Sequence, residues 1–108
     1  MQPDVSFLEG HDLAVFSASW CGDCRRLKRF FDTTGIAFRE VDIDVDPAQA
    51  VRLERETGKR AIPYLLVDER AWVRGYHKEH PVRLDPRLLL EELRNVVDWS
   101  AADSAGSA

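Results

Sequence analysis

Four apolar residues in a row, Leu13-Ala14-Val15-Phe16, open the patterned part of the chain and predict a buried strand. Leu27, Phe30, Phe31 and Thr34 then recur at helical spacing, and Gly35 follows as a stop. Residues 37–43, AFREVDI, alternate apolar and polar, as a strand with one face inward does. Asp46-Pro47-Ala48-Gln49 predicts a second helix start, with Asp46 as cap, Pro47 in the first turn and Gln49 completing a capping box. In that helix Ala50, Val51, Leu53 and Thr57 form one broad side and Arg52, Arg55 and Glu56 the other. Glu54 interrupts the apolar side, and Gly58 is the stop. Tyr64 to Val67 and Ala71 to Val73 read as strands joined by Asp68-Glu69-Arg70, a link short enough to predict an antiparallel hairpin. Asp85-Pro86 repeats the cap-then-proline signal, and Leu89, Leu90, Leu93, Val96 and Val97 make an apolar helical stripe suited to core packing.

The element order is β-α-β-α-β-β-α. A helix joins the first two strands, so they are expected to be parallel with a right-handed crossover. The fold class is α/β: a four-stranded mixed sheet covered by three helices. The pattern marks residues 1–99 as one domain with an ordered core of about 13–99. Residues 1 to about 10 are expected to be weakly ordered, and the small, polar tail at 100–108, SAADSAGSA, is expected to be disordered.

Composition narrows the function classes. The chain has 108 residues, 44% apolar and 31% charged, the size and balance of one small globular domain. No apolar run approaches the roughly 20 residues that span a bilayer, so no membrane association is expected. The first residues, MQPDVSFLEGHD, lack a basic start and an apolar stretch, so a cytoplasmic location is expected. A formal charge of −4 gives no reason to expect a nucleic-acid partner. Basic residues do gather at Arg25, Arg26, Lys28 and Arg29. A solvated helix face is the plain reading; a local field that attracts acidic partners is the alternative.

Only two cysteines occur, in FSASWCGDCR at 16–25. A reducing compartment makes a structural staple unfavourable and leaves redox chemistry or metal binding. Cys21 falls where the first strand ends and the first helix begins. Unpaired N–H groups and a partial positive charge there favour a thiolate, the attacking species in disulfide exchange. Cys24 is one turn further on, within reach of Cys21, so the first can attack and the second resolve. Asp23 suits a first helical turn, where negative charge meets the dipole. Its charge also opposes a thiolate on Cys21, while Arg25 and Arg26 favour one. Trp20 is either a surface anchor for a substrate or a packing residue.

SWCGDC, with a strand before it and a helix after it, resembles the active site of the thioredoxin superfamily. GIAFREVDIDVDPAQA and GKRAIPYLLV resemble the second strand and the cis-proline stretch of glutaredoxins, and together these segments span about residues 13–75. The pattern looks closest to bacterial glutaredoxin-like proteins that include mycoredoxin, with their Trp-Cys-Gly-Tyr-Cys and Asn-Arg-Thr-Val-Pro. The resemblance implies a thioredoxin-like (glutaredoxin) fold, with Cys21 as nucleophile, Cys24 as resolving thiol and the two forming a redox-active disulfide. It implies a cis peptide at Pro63 facing the cysteines, and an Ile62 backbone offered to an extended thiol substrate. Lys59 and Arg60 would attract the carboxylates of a small thiol, with Trp20 and Asp23 beside it. No bound cofactor and no metal are expected. Glutathione, mycothiol or bacillithiol is the expected co-substrate, disulfide-containing proteins and a small thiol or reductase protein the expected partners, and a monomer the expected state. The chain departs from the family at Asp23, where an aromatic residue is usual. It departs again in RGYHKEH at 74–80, which has one glycine where a Gly-Gly pair is usual, and Val15 stands where thioredoxins carry a buried aspartate.

Two other readings compete. His77 and His80 could join the cysteines in a Cys₂His₂ zinc site, although the first pair leads into a helix rather than a knuckle; iron–sulfur binding between two chains is a smaller variant. Otherwise the two histidines are expected as exposed loop residues, or as groups holding an anionic thiol. A thioredoxin-like fold also serves as an electron donor to one partner, or as a non-catalytic interaction module.

Overall fold

The computed structural model describes residues 3–106, with side chains through residue 98. Of the tail at 100–108, residues 100–106 continue the last helix in backbone, and residues 107–108 lie outside the described residues. The elements are β1 (Leu13–Ser17), α1 (Gly22–Thr34), β2 (Arg39–Asp42), α2 (Pro47–Thr57), β3 (Tyr64–Val67), β4 (Ala71–Arg74) and α3 (Pro86–Gly106). The strands form one sheet in the order β2-β1-β3-β4. β1 and β2 are parallel, while β3 is antiparallel to both β1 and β4. This is the four-stranded mixed sheet with three helices that the apolar pattern predicts.

All five residues of β1 are buried, because both faces of the sheet are covered. Leu13 and Val15 face a core shared with Leu65, Val67, Leu27 and Phe31 of α1 and Leu89 and Leu93 of α3. Ala14 and Phe16 face the other way, onto Leu66, Tyr64 and Leu53 of α2. The period-2 alternation of a strand thus feeds two cores from one continuous apolar run. A short 3₁₀ turn, Ser6–Leu8, precedes β1; its Leu8 is buried and Val5 and Phe7 pack on the larger core, so burial begins before the patterned region.

Two details of α2 differ from expectation. Asp46 is the cap residue by position, yet its carboxylate makes no capping hydrogen bond, so the capping box does not form. The turn before the helix is braced by Asp42, whose Oδ1 accepts from the N–H groups of Asp44 and Val45 at 2.9 and 3.2 Å. Val51 is 56% exposed, and Leu53 is the one fully buried residue of the helix, so the inward stripe is narrower than the sequence suggests. At α3 the cap forms as expected: Asp85 Oδ1 accepts from the N–H groups of Arg87 and Leu88 at 3.1 and 3.2 Å. The β3–β4 turn carries positive φ at Asp68 (53°) and Glu69 (57°), with the Arg70 N–H donating to the Val67 carbonyl at 3.0 Å, the geometry of a type I′ hairpin.

Candidate active site

Cys21 is the N-cap residue of α1, in extended backbone geometry at φ −88° and ψ 113°. The first N–H groups of a helix have no partner within the helix. One of them, from Cys24, donates to Cys21 Sγ at 3.1 Å. The two sulfurs are bonded to each other, with their Cα atoms 5.2 Å apart. Cys24 is completely buried and Cys21 is 6% exposed, so any partner reaches this pair through Cys21.

The pairing of β1 with β3 explains what faces the cysteines. Phe16 pairs with Tyr64, so the end of β1 lies beside the start of β3. Pro63, one residue before β3, is buried and follows a cis peptide bond, and the Ile62 carbonyl oxygen lies 3.9 Å from Cys21 Sγ. Proline tolerates this place because the first position of a strand need not donate to the ladder. Gly75, just past β4, holds the loop from the far side. Its N–H donates to the Pro63 carbonyl at 2.9 Å. A Cβ on Gly75 would stand 2.7 Å from Leu27 Cδ2 and 3.1 Å from both Cγ and the carbonyl oxygen of Pro63. The one glycine of RGYHKEH is therefore required by close approach, not by a turn.

Asp23 is not a solitary charge. Its carboxylate accepts from Arg26 Nη1 at 2.7 Å and is gripped by Arg83, with Nη2 at 2.8 Å and Nε at 3.0 and 3.1 Å from its two oxygens. The Arg83 guanidinium, and after it Arg26, holds the Asp23 carboxyl below its ordinary value of 3.8. Sequence reasoning missed Arg83, which lies 60 residues from Asp23. Nothing local in the sequence marks it, because the contact arises only when the loop after β4 folds back over the start of α1. The basic cluster of α1 is largely committed locally. Arg25 donates to the Ser19 carbonyl at 3.0 Å, Arg26 binds Asp23, and Lys28 binds Glu40 at 3.1 Å.

Trp20 is 66% exposed, and its indole N–H donates to Asp44 Oδ2 at 2.8 Å. Trp20, Ile62 and Arg60 line a groove of about 300 Å³ with Ile43, Asp44 and Leu53. Arg60 is also paired with Glu54 at 2.6 Å. Lys59 is exposed, with its backbone N–H donating to Thr57 Oγ1 at 3.1 Å, and does not line this groove. Cys21, Cys24, Ile62, Pro63, Asp23, Trp20 and Arg60 thus gather at one end of the sheet, with Lys59 at its margin.

The expectation of exposed loop histidines is corrected. His77 is completely buried. Its Nδ1 accepts the Asp85 N–H at 3.1 Å, and its Nε2 lies 2.7 Å from Glu92 Oε1. Both ring nitrogens are engaged because the loop turns inward to join β4 to α3 and needs a polar brace at its centre. His80 is half-buried, and its Nδ1 accepts the Val82 N–H at 3.2 Å. Among the described residues, no three His, Cys, Asp or Glu side chains come together as a metal would require. Among the same residues, no helix is long and apolar enough to cross a membrane.

Comparison with known proteins follows the same outline. A glutaredoxin of Pseudomonas aeruginosa is 26% identical over 57 residues, which cover 53% of this chain and 68% of that protein. The crystal structure of buckwheat glutaredoxin in complex with glutathione is 30% identical with a TM-score of 0.47, over 56% of this chain and 57% of that one, so the chain spans little more than half the length of the buckwheat protein. The glutaredoxin of Archaeoglobus fulgidus superposes over 86% of this chain and 97% of its own with a TM-score of 0.59 at 19% identity, a likeness of fold. The glutaredoxin family profile matches residues 13–72, a span that runs from the first buried strand through both cysteines and the cis proline into β4. With more than half of its length described by that profile and the thioredoxin-like sheet closed around the same residues, the chain belongs to the glutaredoxin family.

Proposed function

We propose that the protein is a thiol–disulfide oxidoreductase that reduces protein disulfides, or mixed disulfides between a protein thiol and a small cellular thiol. The observation that carries this reading is the Cys21–Cys24 pair at the start of α1. Cys24 is completely buried, and Cys21, which keeps 6% exposure, lies with its sulfur 3.9 Å from the Ile62 carbonyl oxygen and takes a helix N–H. In the reduced protein the Cys21 thiolate attacks one sulfur of a substrate disulfide. A bond forms from Cys21 to that sulfur, and the other substrate sulfur leaves as a thiolate that takes a proton. The Cys24 thiol then loses its proton and attacks Cys21. This forms the intramolecular disulfide and releases the second substrate thiol, so two electrons pass from the cysteine pair to the substrate. Two molecules of a small thiol, or a dithiol reductase, return the two electrons. Where a small thiol is already part of the mixed disulfide, Cys21 alone can carry the exchange.

In this reading Trp20 and the groove beside it receive the substrate. The Ile62 backbone and Pro63 align an extended thiol, and Lys59 and Arg60 draw in its carboxylates. The protein acts as a monomer on disulfide-containing proteins and needs no bound cofactor. Its use as an electron donor to one particular partner is the second reading, favoured by the Asp23–Arg83 pair, which alters the surface next to Cys21.

The test offers the oxidised protein glutathione, mycothiol, bacillithiol and a thioredoxin reductase in turn, and follows its free thiols. The expected result is fast reduction by one of them, coupled to turnover of a disulfide substrate. Cys21→Ser should abolish turnover. Cys24→Ser should accumulate a mixed disulfide visible by mass spectrometry, and keep turnover if the one-thiol route operates. Full activity in Cys21→Ser would end this reading.

A further inference from the structure

The geometry points to Arg83 as a positioning residue for the nucleophile: it acts through Asp23, cancelling the carboxylate that stands between the two cysteines so that Cys21 ionises. The inference deepens the reading of the cysteine pair as a redox centre.

Three observations carry it. Asp23 lies two residues from Cys21 in the first turn of α1, where its negative charge opposes a thiolate formed at the same helix end. That charge is met by a fork-shaped contact from Arg83, with three N···O distances of 2.8 to 3.1 Å, and by a single bond from Arg26. A guanidinium held in this way is aimed by geometry as well as by charge. Finally, the loop that delivers Arg83 is built to hold it there. Arg83 has φ 63°, a left-handed conformation unfavourable for any residue that carries a Cβ. Its N–H donates to the His80 carbonyl at 2.9 Å and its carbonyl accepts from His77 at 2.8 Å, with the buried His77 ring fixing the loop from beneath. Such strain persists where surrounding contacts over-determine it.

Taken alone, Asp23 would hold back ionisation of Cys21. Paired with two guanidinium groups, the cluster of Asp23, Arg26 and Arg83 carries a net charge of +1, from two positive groups and one negative. Other charged or titratable groups around the site include Arg25 on α1, Lys59 and Arg60 before Pro63, Tyr64 after it, Tyr76 after β4 and Asp44 beneath Trp20. Arg25, Arg60 and Asp44 are already bonded, to Ser19, Glu54 and Trp20, and among the described residues none of these groups hydrogen-bonds to Asp23.

The experiment measures the rate of iodoacetamide alkylation of Cys21 in the reduced protein against pH, with the modified cysteine located by mass spectrometry. It compares the native chain, Arg83→Gln, Arg83→Lys, Asp23→Asn and the double variant Asp23→Asn/Arg83→Gln. Arg83→Gln should raise the Cys21 midpoint by roughly half a unit, about a threefold loss of thiolate below the midpoint, as expected for one charge acting near a solvated surface. Arg83→Lys should recover part of that shift. Asp23→Asn takes away the carboxylate that holds the half-exposed Arg83 guanidinium over this helix end, so removing Arg83 as well should have little further effect. An unchanged midpoint in Arg83→Gln would overturn the inference, and so would an equal shift with and without Asp23, since Arg83 would then not act through the carboxylate. The readout needs no turnover. A chain that alkylates as expected but reduces no disulfide would therefore sink the proposed function and leave this inference standing.

Discussion

Adding one methyl group at Gly75 should damage the fold and the site together. In Gly75→Ala the new Cβ would meet Leu27 Cδ2 at 2.7 Å and Pro63 at 3.1 Å, on Cγ and on the carbonyl oxygen. Favourable carbon contacts lie at about 3.5–4.0 Å, so Leu27 would have to retreat by roughly 1 Å. Leu27 is completely buried in the main core and has no open space to enter. Pro63 offers backbone, which cannot swing aside as a side-chain tip can. Overpacking of a closed core costs about 1–3 kcal/mol, and two immovable neighbours place this case near 2 kcal/mol. For a domain of this size that corresponds to a fall in Tm of about 10 °C. Thermal unfolding followed by far-UV circular dichroism reads it directly. The increment should shrink to below about 1 kcal/mol when Gly75→Ala is made in a Leu27→Ala background, because the cavity accepts the methyl. A Tm within 1 °C of the native value would refute the argument from close approach, and an undiminished increment in the Leu27→Ala background would refute the assignment of the clash to Leu27.

Removing the buried imidazole in His77→Ala strands the Asp85 N–H, leaves Glu92 Oε1 without its ring partner and opens a cavity. A loss of about 3 kcal/mol is expected by urea unfolding, and a loss under 1 kcal/mol would show that the ring is not the brace of the loop. Acid should weaken the fold through the surface network beside β2. Arg39 holds the Asp12 carboxyl below its ordinary 3.8, and Arg52 and then Arg39 hold Glu69 below 4.5. Carboxyls depressed in the folded state contribute stability above their ordinary values and lose it as pH falls through the folded ones. The urea midpoint should therefore be flat between pH 7 and about 5 in this respect, and fall below about pH 4.5. High salt should shrink the effect, because these side chains are half-exposed. A midpoint unchanged down to pH 3 would contradict it.

The elements themselves were legible from local pattern. The apolar run at 13–16, the cap at Asp85 and the stop at Gly35 each depend on neighbours a few residues away, and each appears where the pattern predicts. The cysteine spacing was legible for the same reason: three residues in a helix return a side chain to the same face. Two features of α2 depart from the pattern. Val51 has helical spacing toward the core but lies beyond the reach of the narrow α2 contact. Asp46 holds the cap position of α2 without a side-chain capping bond, while Asp42 braces the turn before it.

What the sequence by itself determined is the set of strands and helices and the cysteine pair at the start of α1, since each depends on periodicity and on the unpaired N–H groups of a helix end. What only the tertiary structure decided is what surrounds that pair. Antiparallel registry of β1 with β3 brings Ile62 to Cys21 across 41 residues, and the inward fold of the loop brings Arg83 to Asp23 across 60. Such partners leave no periodic trace, because charge pairing and close packing between distant segments depend on where the whole chain is placed. Asp23 therefore reads in the sequence as a charge opposing the nucleophile, and in the folded protein as one half of a neutralised pair.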